Sequence, residues 1–506
     1  MGIATYIDAQ LDPARIPDPE VDAALDGLAT LRMDEASLLL VFDRPDRDAR
    51  RFLDKERSAA MMSGDAPGPV AAEAAEEAAR RIQARVAEIV TPARRPQRVL
   101  EELTQARVIR ALASERQLEE VLVDFWMNHF NVFAGKDADR ILVASFENEV
   151  IRPHLWGCFR DLLLATARSP AMLLYLDNAQ SVADIEHRPG AVPVYSPASN
   201  PAARAGLNEN YARELMELHT LGVDGGYTQL DGTELARILT GWAIAPPEEG
   251  GGFSFRPNLH DVCAKTFRSR DFPAGGYLSE GESAIDLLAR DPATAQHIAL
   301  ELCRRFVADD PPRNLVDRVA ARFLRTDGDL RETVRAIVTS PEFLDPTFFR
   351  AKIKSPFEFV ISALRATGAS AGTPAGAAAV AAQVSREGEP LYLCAPPTGY
   401  PERGSAWVGT EALLARWNFA LALAGGRIPE AKPDFSRLLP PGASSAAARA
   451  IPFLERAILG DELSEGTRRQ LTECVVEPDA GAPDGERSKI VFAAGVLLGS
   501  PEFQRR

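Results

Sequence analysis

Along most of the chain apolar residues return every three or four positions, the spacing of amphipathic helices, and strict alternation is confined to one short stretch. Residues 1–60 read as short helices interrupted by Pro13, Pro17, Pro19 and Pro45, because each proline lacks a backbone donor. From Pro69 to Val90 the spacing predicts a helix with a narrow apolar stripe of Val70, Ala74, Ala78, Ile82, Val86 and Ile89. Helices over 96–114 and 115–133 continue an antiparallel array with short connections. In the second of these, Leu122, Phe125, Trp126, His129, Val132 and Phe133 share one face, with Asp124, Asn128 and Asn131 on the other.

At Ser169, Ser340, Ser355 and Ser500 a serine precedes a proline, which pairs a helix N-cap with a first-turn residue that has no N–H to leave unpaired. Ser340 and Ser500 open the same SPEF tetrapeptide, read as two corners of one type without a solenoid period. A Pro-, Arg- and Ala-rich loop over 182–205, with His187 and Tyr195, is longer than a usual connection and either moves or covers something.

The stretch from Asn208 to Trp242 reads as two helices joined by a Gly-rich turn. Asn208 is the expected N-cap, and Leu207, Tyr211, Leu215, Leu218 and Leu221 form the inward stripe. Glu214 falls between Leu218 and Leu221 and so points inward, with His219 at the stripe's edge. Glu209, Arg213 and Glu217, four apart on the opposite side, read as a solvated ion-pair ladder. The second helix, over 231–240, turns Leu235, Ile238, Leu239 and Trp242 inward. Phe253 and Phe255 then alternate as in a strand, and His260 and Asp261 sit side by side in a loop, where function concentrates. Helices resume over 284–339, with His297 on a helix surface, and over 356–367, before the low-complexity run GASAGTPAGAAAVAAQ.

The fold class is therefore all-α: a multi-helix array of antiparallel helices with long Pro- and Gly-rich loops and at most a short β-hairpin. At 506 residues the chain exceeds one ordinary core. The expected division is a main helical domain over 1–365 carrying the site, a join over 366–390, and a C-terminal helical subdomain over 391–506 packed on the first.

Composition narrows the partners. A formal net charge of -15 argues against an extended phosphate-binding face and hence against nucleic acid. The five cysteines are far apart and lack CxxC spacing, so they read as small buried hydrophobes. No apolar run reaches the roughly 18 residues of a transmembrane segment. The start has no basic region followed by an apolar one, which taken literally describes a cytoplasmic protein.

An imidazole inside an apolar stripe, as at His129, is desolvated and must find a partner. Two roles stay open for it: a core histidine satisfied by a carbonyl or carboxylate, or a metal ligand or proton carrier. ELMELH is neither ExxH nor HExxH, so no ready-made di-iron or zinc-protease motif is present. The candidate site gathers His129, His219 and His260 as metal ligands, with Glu214 and Asp261 as catalytic carboxylates. Such a set suits a divalent zinc, iron or manganese ion, with a spare carboxylate as general base. The first functional reading is a metal-dependent hydrolase or oxidoreductase. The alternative is a non-enzymatic helical scaffold that binds an envelope partner, its inward polar residues forming a structural network.

The segments FWMNHFNVFAGK, FRDLLLATARSPAMLLYLDNAQS, NENYARELMELHTLGVDGGYTQ, ELARILTGW, FSFRPNLHD, ELCRRFVADD, SPEF and APPTGYPERGSAW occur in one order along nearly the whole chain. In that combination the chain resembles the bacterial domain of unknown function 1800 family. The family has no established reaction, so the resemblance carries over no catalytic role. Its members usually begin with a helix and an Asn-, Phe- and Gly-containing segment ahead of the part matching GIATYIDAQLDP. The resemblance thus implies a late start or a truncation and, with an export signal restored, an envelope or periplasmic location. It also implies a protein partner, since such proteins are often encoded beside a phosphatase-like or sulfatase-like family.

Overall fold

The Gln97–Ala113 helix lies at the centre of the core, with Val99, Leu103, Ala106, Val108 and Ile109 all buried. Helices Pro19–Leu25, Asp139–Ser145, Pro356–Ala366 and Pro374–Arg386 pack around it. The computed structural model describes residues 2–62, 69–190, 206–460, 463–476 and 485–506. The part of the long loop over 191–205, with Tyr195, lies outside the described residues, as do the side chains of Val70, Ala74, Ala78 and Cys474.

The protein is mostly helical, with two small antiparallel sheets. Trp242–Ile244 pairs with Phe253–Phe255, the strand that alternation predicts, with Trp242 opposite Phe255. A second hairpin pairs Lys265–Phe267 with Arg270–Phe272 and adds to the single hairpin expected. Its two-residue turn holds Arg268 and Ser269 at φ 51 and 58, the left-handed pair that matches the twist of a tight hairpin. Among the described residues no helix is long and apolar enough to cross a membrane.

Three local expectations need correction. Pro45 does not break the chain's helical course. A π-helical turn at Leu39–Asp43 runs straight into the Arg44–Met62 helix, where Pro45 takes a first-turn position. Pro45 still contributes no N–H there, but the wider turn gives its ring room beside the preceding carbonyl. The SPEF segments open no helices; in each, the serine Oγ accepts the phenylalanine amide, Phe343 to Ser340 at 3.1 Å and Phe503 to Ser500 at 3.2 Å. Ser355, by contrast, heads a full capping box with Glu358. Asn208 caps one position early: its side chain accepts from the Asn210 amide, and the helix runs over Asn210–Glu217.

The low-complexity run is helical over Pro374–Arg386 and lies against Gln97–Ala113. The last helices pack tightly, Thr410–Ala424 against Gly485–Gly499. A Cβ at Gly495 would come within 2.7 Å of Leu421 Cδ2, so a larger residue there must displace the Leu421 side chain.

A histidine-lined cleft and a buried charge cluster

Only six histidines occur in the chain, and three of them, His129, His219 and His297, meet at one place. The His129 ring centroid lies 6.2 Å from that of His219 and 6.0 Å from that of His297. Helix Gln117–His129 supplies the first and helix Pro292–Phe306 the last. His219 follows helix Asn210–Glu217, where the Glu214 carbonyl accepts the amides of both Leu218 and His219. That double acceptance closes the helix and turns His219 inward, leaving it only 1% exposed.

His129 Nε2 donates to the His219 carbonyl at 3.3 Å, and His297 Nε2 to the adjacent Leu218 carbonyl at 3.1 Å. A carbonyl can only accept, so each ring, when neutral, keeps its proton on Nε2 and leaves a lone pair on Nδ1. Buried His219 Nε2 has no hydrogen-bond partner among the described residues, an omission that asks for an explanation. Burial against Phe125, Trp126 and Phe130 holds His129 well below the usual histidine range, and the other two imidazoles push the same way. Burial and His297 bring His219 down to about 3.

His129 and His297 line an open cleft of about 320 Å³, together with Glu217, Glu301, Tyr400 and Glu402. That volume falls in the range of small-ligand sites. Glu217, expected in a solvated ladder, is therefore a cleft residue, while Arg213 and Glu209 make only a 4.0 Å pair. Glu214 is half-buried and does not line the cleft. Burial, then Glu217, raises its carboxyl, whose charge bears on the Tyr175 hydroxyl. His297, expected on a helix surface, is covered by the turn at Gly222, where φ is +80 and a Cβ would sit 3.0 Å from His297 Nδ1.

His260 and Asp261 belong to a different cluster. His260 is fully buried: Nδ1 lies 2.9 Å from the Thr240 carbonyl, and Nε2 lies 3.5 Å from Glu280, which also pairs with Lys265 at 2.6 Å. The Asp261 carboxylate takes Arg237 Nε at 2.8 Å, His187 Nδ1 at 3.1 Å and the Cys263 amide at 2.9 Å. Burial alone would raise Asp261, but the Arg237 and Cys263 hydrogen bonds outweigh it and leave the carboxyl lowered. Among the described residues no hydrogen bond, ion pair or ring contact joins this cluster to His129, His219 or Glu214. The five residues that the sequence gathers into one site thus fall into two places and a bystander.

A third feature, which no sequence motif marks, lies on the polar side of helix Gln117–His129. That face is covered by the segment 389–407 instead of water. Asn128 and Tyr400 exchange two hydrogen bonds, at 2.8 and 2.7 Å, and Asn131 donates to the Cys394 and Pro396 carbonyls. Behind them a small cavity of about 40 Å³, room for a few waters, is lined by Arg107, Arg305, Lys352 and Arg506 and by Asp124, Glu358 and Glu402. Arg305 is the hub, with partners at Asp124 (2.6 Å), Glu402 (3.1 Å) and Glu358 (3.4 Å). Burial works against the Glu358 charge, yet Arg506 and Arg305 bring its carboxyl down to about 2. Asn128, Tyr400, Pro401 and Glu402 wall both this cavity and the histidine cleft.

What the fold and the cleft define is a mostly helical protein with an open, histidine-lined pocket beside a largely buried ionic cluster. The family model described as "Protein of unknown function (DUF1800)" matches residues 1–505, and the chain belongs to that family. No curated protein and no solved structure matches it.

Proposed function

We propose that the chain is a metal-dependent enzyme, a hydrolase or oxidoreductase, whose site is the cleft lined by His129 and His297, with the buried His219 ring beside His129. One observation carries the reading: three of six histidines converge with two tautomers fixed by backbone carbonyls and the third ring nitrogen left without a partner. Fixing one nitrogen of an imidazole on a carbonyl is how proteins prepare the other for a metal. Depressed affinity for protons keeps His129 and His219 in the neutral form that an ion requires. At present spacing an ion shared by all three needs the His129 and His297 rings to turn. Imidazole donors suit zinc or iron, and a bound ion of that kind would supply an acidified water or a redox centre. Glu217, in the cleft wall, replaces Glu214 as the carboxylate suited to general base work. Asp261 takes no part.

Metal content of the purified protein tests this. The expected result is one equivalent of zinc, iron or manganese that is lost in His129→Ala and His219→Ala and is retained in His260→Ala and Cys263→Ser. Zinc favours hydrolysis, and iron or manganese favours redox chemistry. A protein that neither carries nor takes up metal at these residues sinks the reading and leaves the scaffold reading in its place. The Arg305 network favours that second reading, since buried ion clusters can hold segments in register without any catalytic duty.

A further inference from the structure

The segment 183–188 runs beside 259–263: the Ala183 amide donates to the Leu259 carbonyl at 2.9 Å and the Val262 amide to the His187 carbonyl at 3.0 Å. This pairing brings His187 against Asp261 and Cys263. Among the described residues they are the one group of three such side chains whose donor atoms all lie within 4.8 Å of one another. Donors bound to one tetrahedral zinc sit about 3.3–3.8 Å apart, given bonds of roughly 2.0–2.3 Å. His187 Nδ1 and Asp261 Oδ2 are already 3.1 Å apart, so closure on an ion needs a movement of about 1 Å or less by Cys263. The Asp261 carboxylate is buried, while the His187 side chain is 38% exposed and offers a way in.

Charge points the same way. Arg237 is paired with Asp261 and Glu234, and Lys265 with Glu280. Three carboxylates against two cations leave one net negative charge, leaving the imidazoles aside. Ionised Cys263 makes it two, and a divalent ion neutralises the cluster. A nitrogen, an oxygen and a sulfur donor together select zinc over magnesium or calcium.

We propose that His187, Asp261 and Cys263 form a zinc site, separate from the histidine cleft, that staples segment 183–188 to segment 259–263. On binding, the Cys263 thiol gives its proton to solvent, and the ion replaces the His187–Asp261 hydrogen bond. Arg237 keeps its hold on the carboxylate from behind, as an outer partner to the site. Three protein donors leave a fourth position open to water.

Cobalt titration of the chelator-stripped protein tests the proposal independently of the cleft, because thiolate ligation gives a near-ultraviolet charge-transfer band that imidazole alone does not. The expected result is one equivalent of Co²⁺ with that band, displaced by Zn²⁺. The band is lost in Cys263→Ser, affinity falls at least tenfold in His187→Ala, and His129→Ala and His219→Ala leave the band unchanged. No band in the parent protein, or a band that survives in Cys263→Ser, overturns the proposal. Should Cys263→Ser fail to fold, alkylation of Cys263 in the unaltered chain decides: protection by Zn²⁺ supports the site, and equal modification with and without Zn²⁺ refutes it.

Discussion

His129 and His297 reach from different helices to neighbouring carbonyls of a single turn, those of His219 and Leu218. The turn is thus pinned from two sides. His297→Ala strips the Leu218 carbonyl of its donor and uncovers Gly222, so a loss of about 1–3 kcal/mol is expected. Urea unfolding measures it through a lower midpoint at unchanged slope.

Acid should act through His219. Its folded value is about 3 against 6.5 for a free histidine, because burial and His297 oppose the charge. Between those values the unfolded chain binds a proton that the folded chain refuses. The contribution is complete above pH 6.5 and is lost as pH falls toward 3, at about 1.4 kcal/mol per pH unit. His219→Leu should flatten stability against pH in that window by this amount. An unchanged slope would contradict the assignment.

Glu389 works in the opposite sense. Burial, and then Asp124, raises its carboxyl to about 8, although the Phe357 amide donates to it at 2.8 Å. The folded chain keeps this proton where the unfolded chain gives it up, so the group's contribution shrinks as pH climbs from about 4.5 to about 8. Glu389→Gln preserves the acceptor without the ionisation. Calorimetry from pH 5 to 8 should show the variant's Tm declining less than that of the parent.

Removing the ionic hub should be severe. Arg305→Met leaves Asp124, Glu358 and Glu402 without their shared cation, and breaking a buried ion pair typically costs about 3–5 kcal/mol. The measurement is equilibrium unfolding in guanidinium. A change below about 1 kcal/mol would mean that the cluster is hydrated and contributes little.

Gly399→Ala tests the wall between cleft and cavity. At φ +66 a side chain is strained, and the new Cβ would fall 2.4 Å from the Asn128 carbonyl oxygen. We expect about 2–4 kcal/mol of destabilisation from strain and clash together, read from denaturant midpoints. Faster amide exchange over 395–404 should accompany it.

The legible parts of the sequence were those with local period. Helix Gln97–Ala113 follows its apolar spacing to within one residue, while Gln117–His129 begins within two residues of the expected start and ends four short of 133, ahead of Val132 and Phe133. Leu235, Ile238, Leu239 and Trp242 are all fully buried as expected. The second hairpin was hidden because its turn uses Arg268 and Ser269, without the glycine or asparagine that advertises positive φ. The charged cavity was hidden for another reason. The spacing marks Asp124, Asn128 and Asn131 as a polar face, but no local pattern says whether water or residues 389–407 will cover it. His297 looked exposed because its cover comes from 218–222, far away in sequence. The scarcity of histidine was the overlooked signal: with six in 506 residues, each merits treatment as a site candidate.

Glu402 belongs at once to the wall of the cleft and to the Arg305 cluster. Any occupant of the cleft that draws this carboxylate toward itself must loosen its hold on Arg305. Reciprocity then requires that whatever tightens the Arg305 cluster weaken that occupant by the same free energy. A site and its foundation are in this way thermodynamically coupled through one side chain, and affinity in the cleft becomes a reporter of how firmly the ionic core is locked.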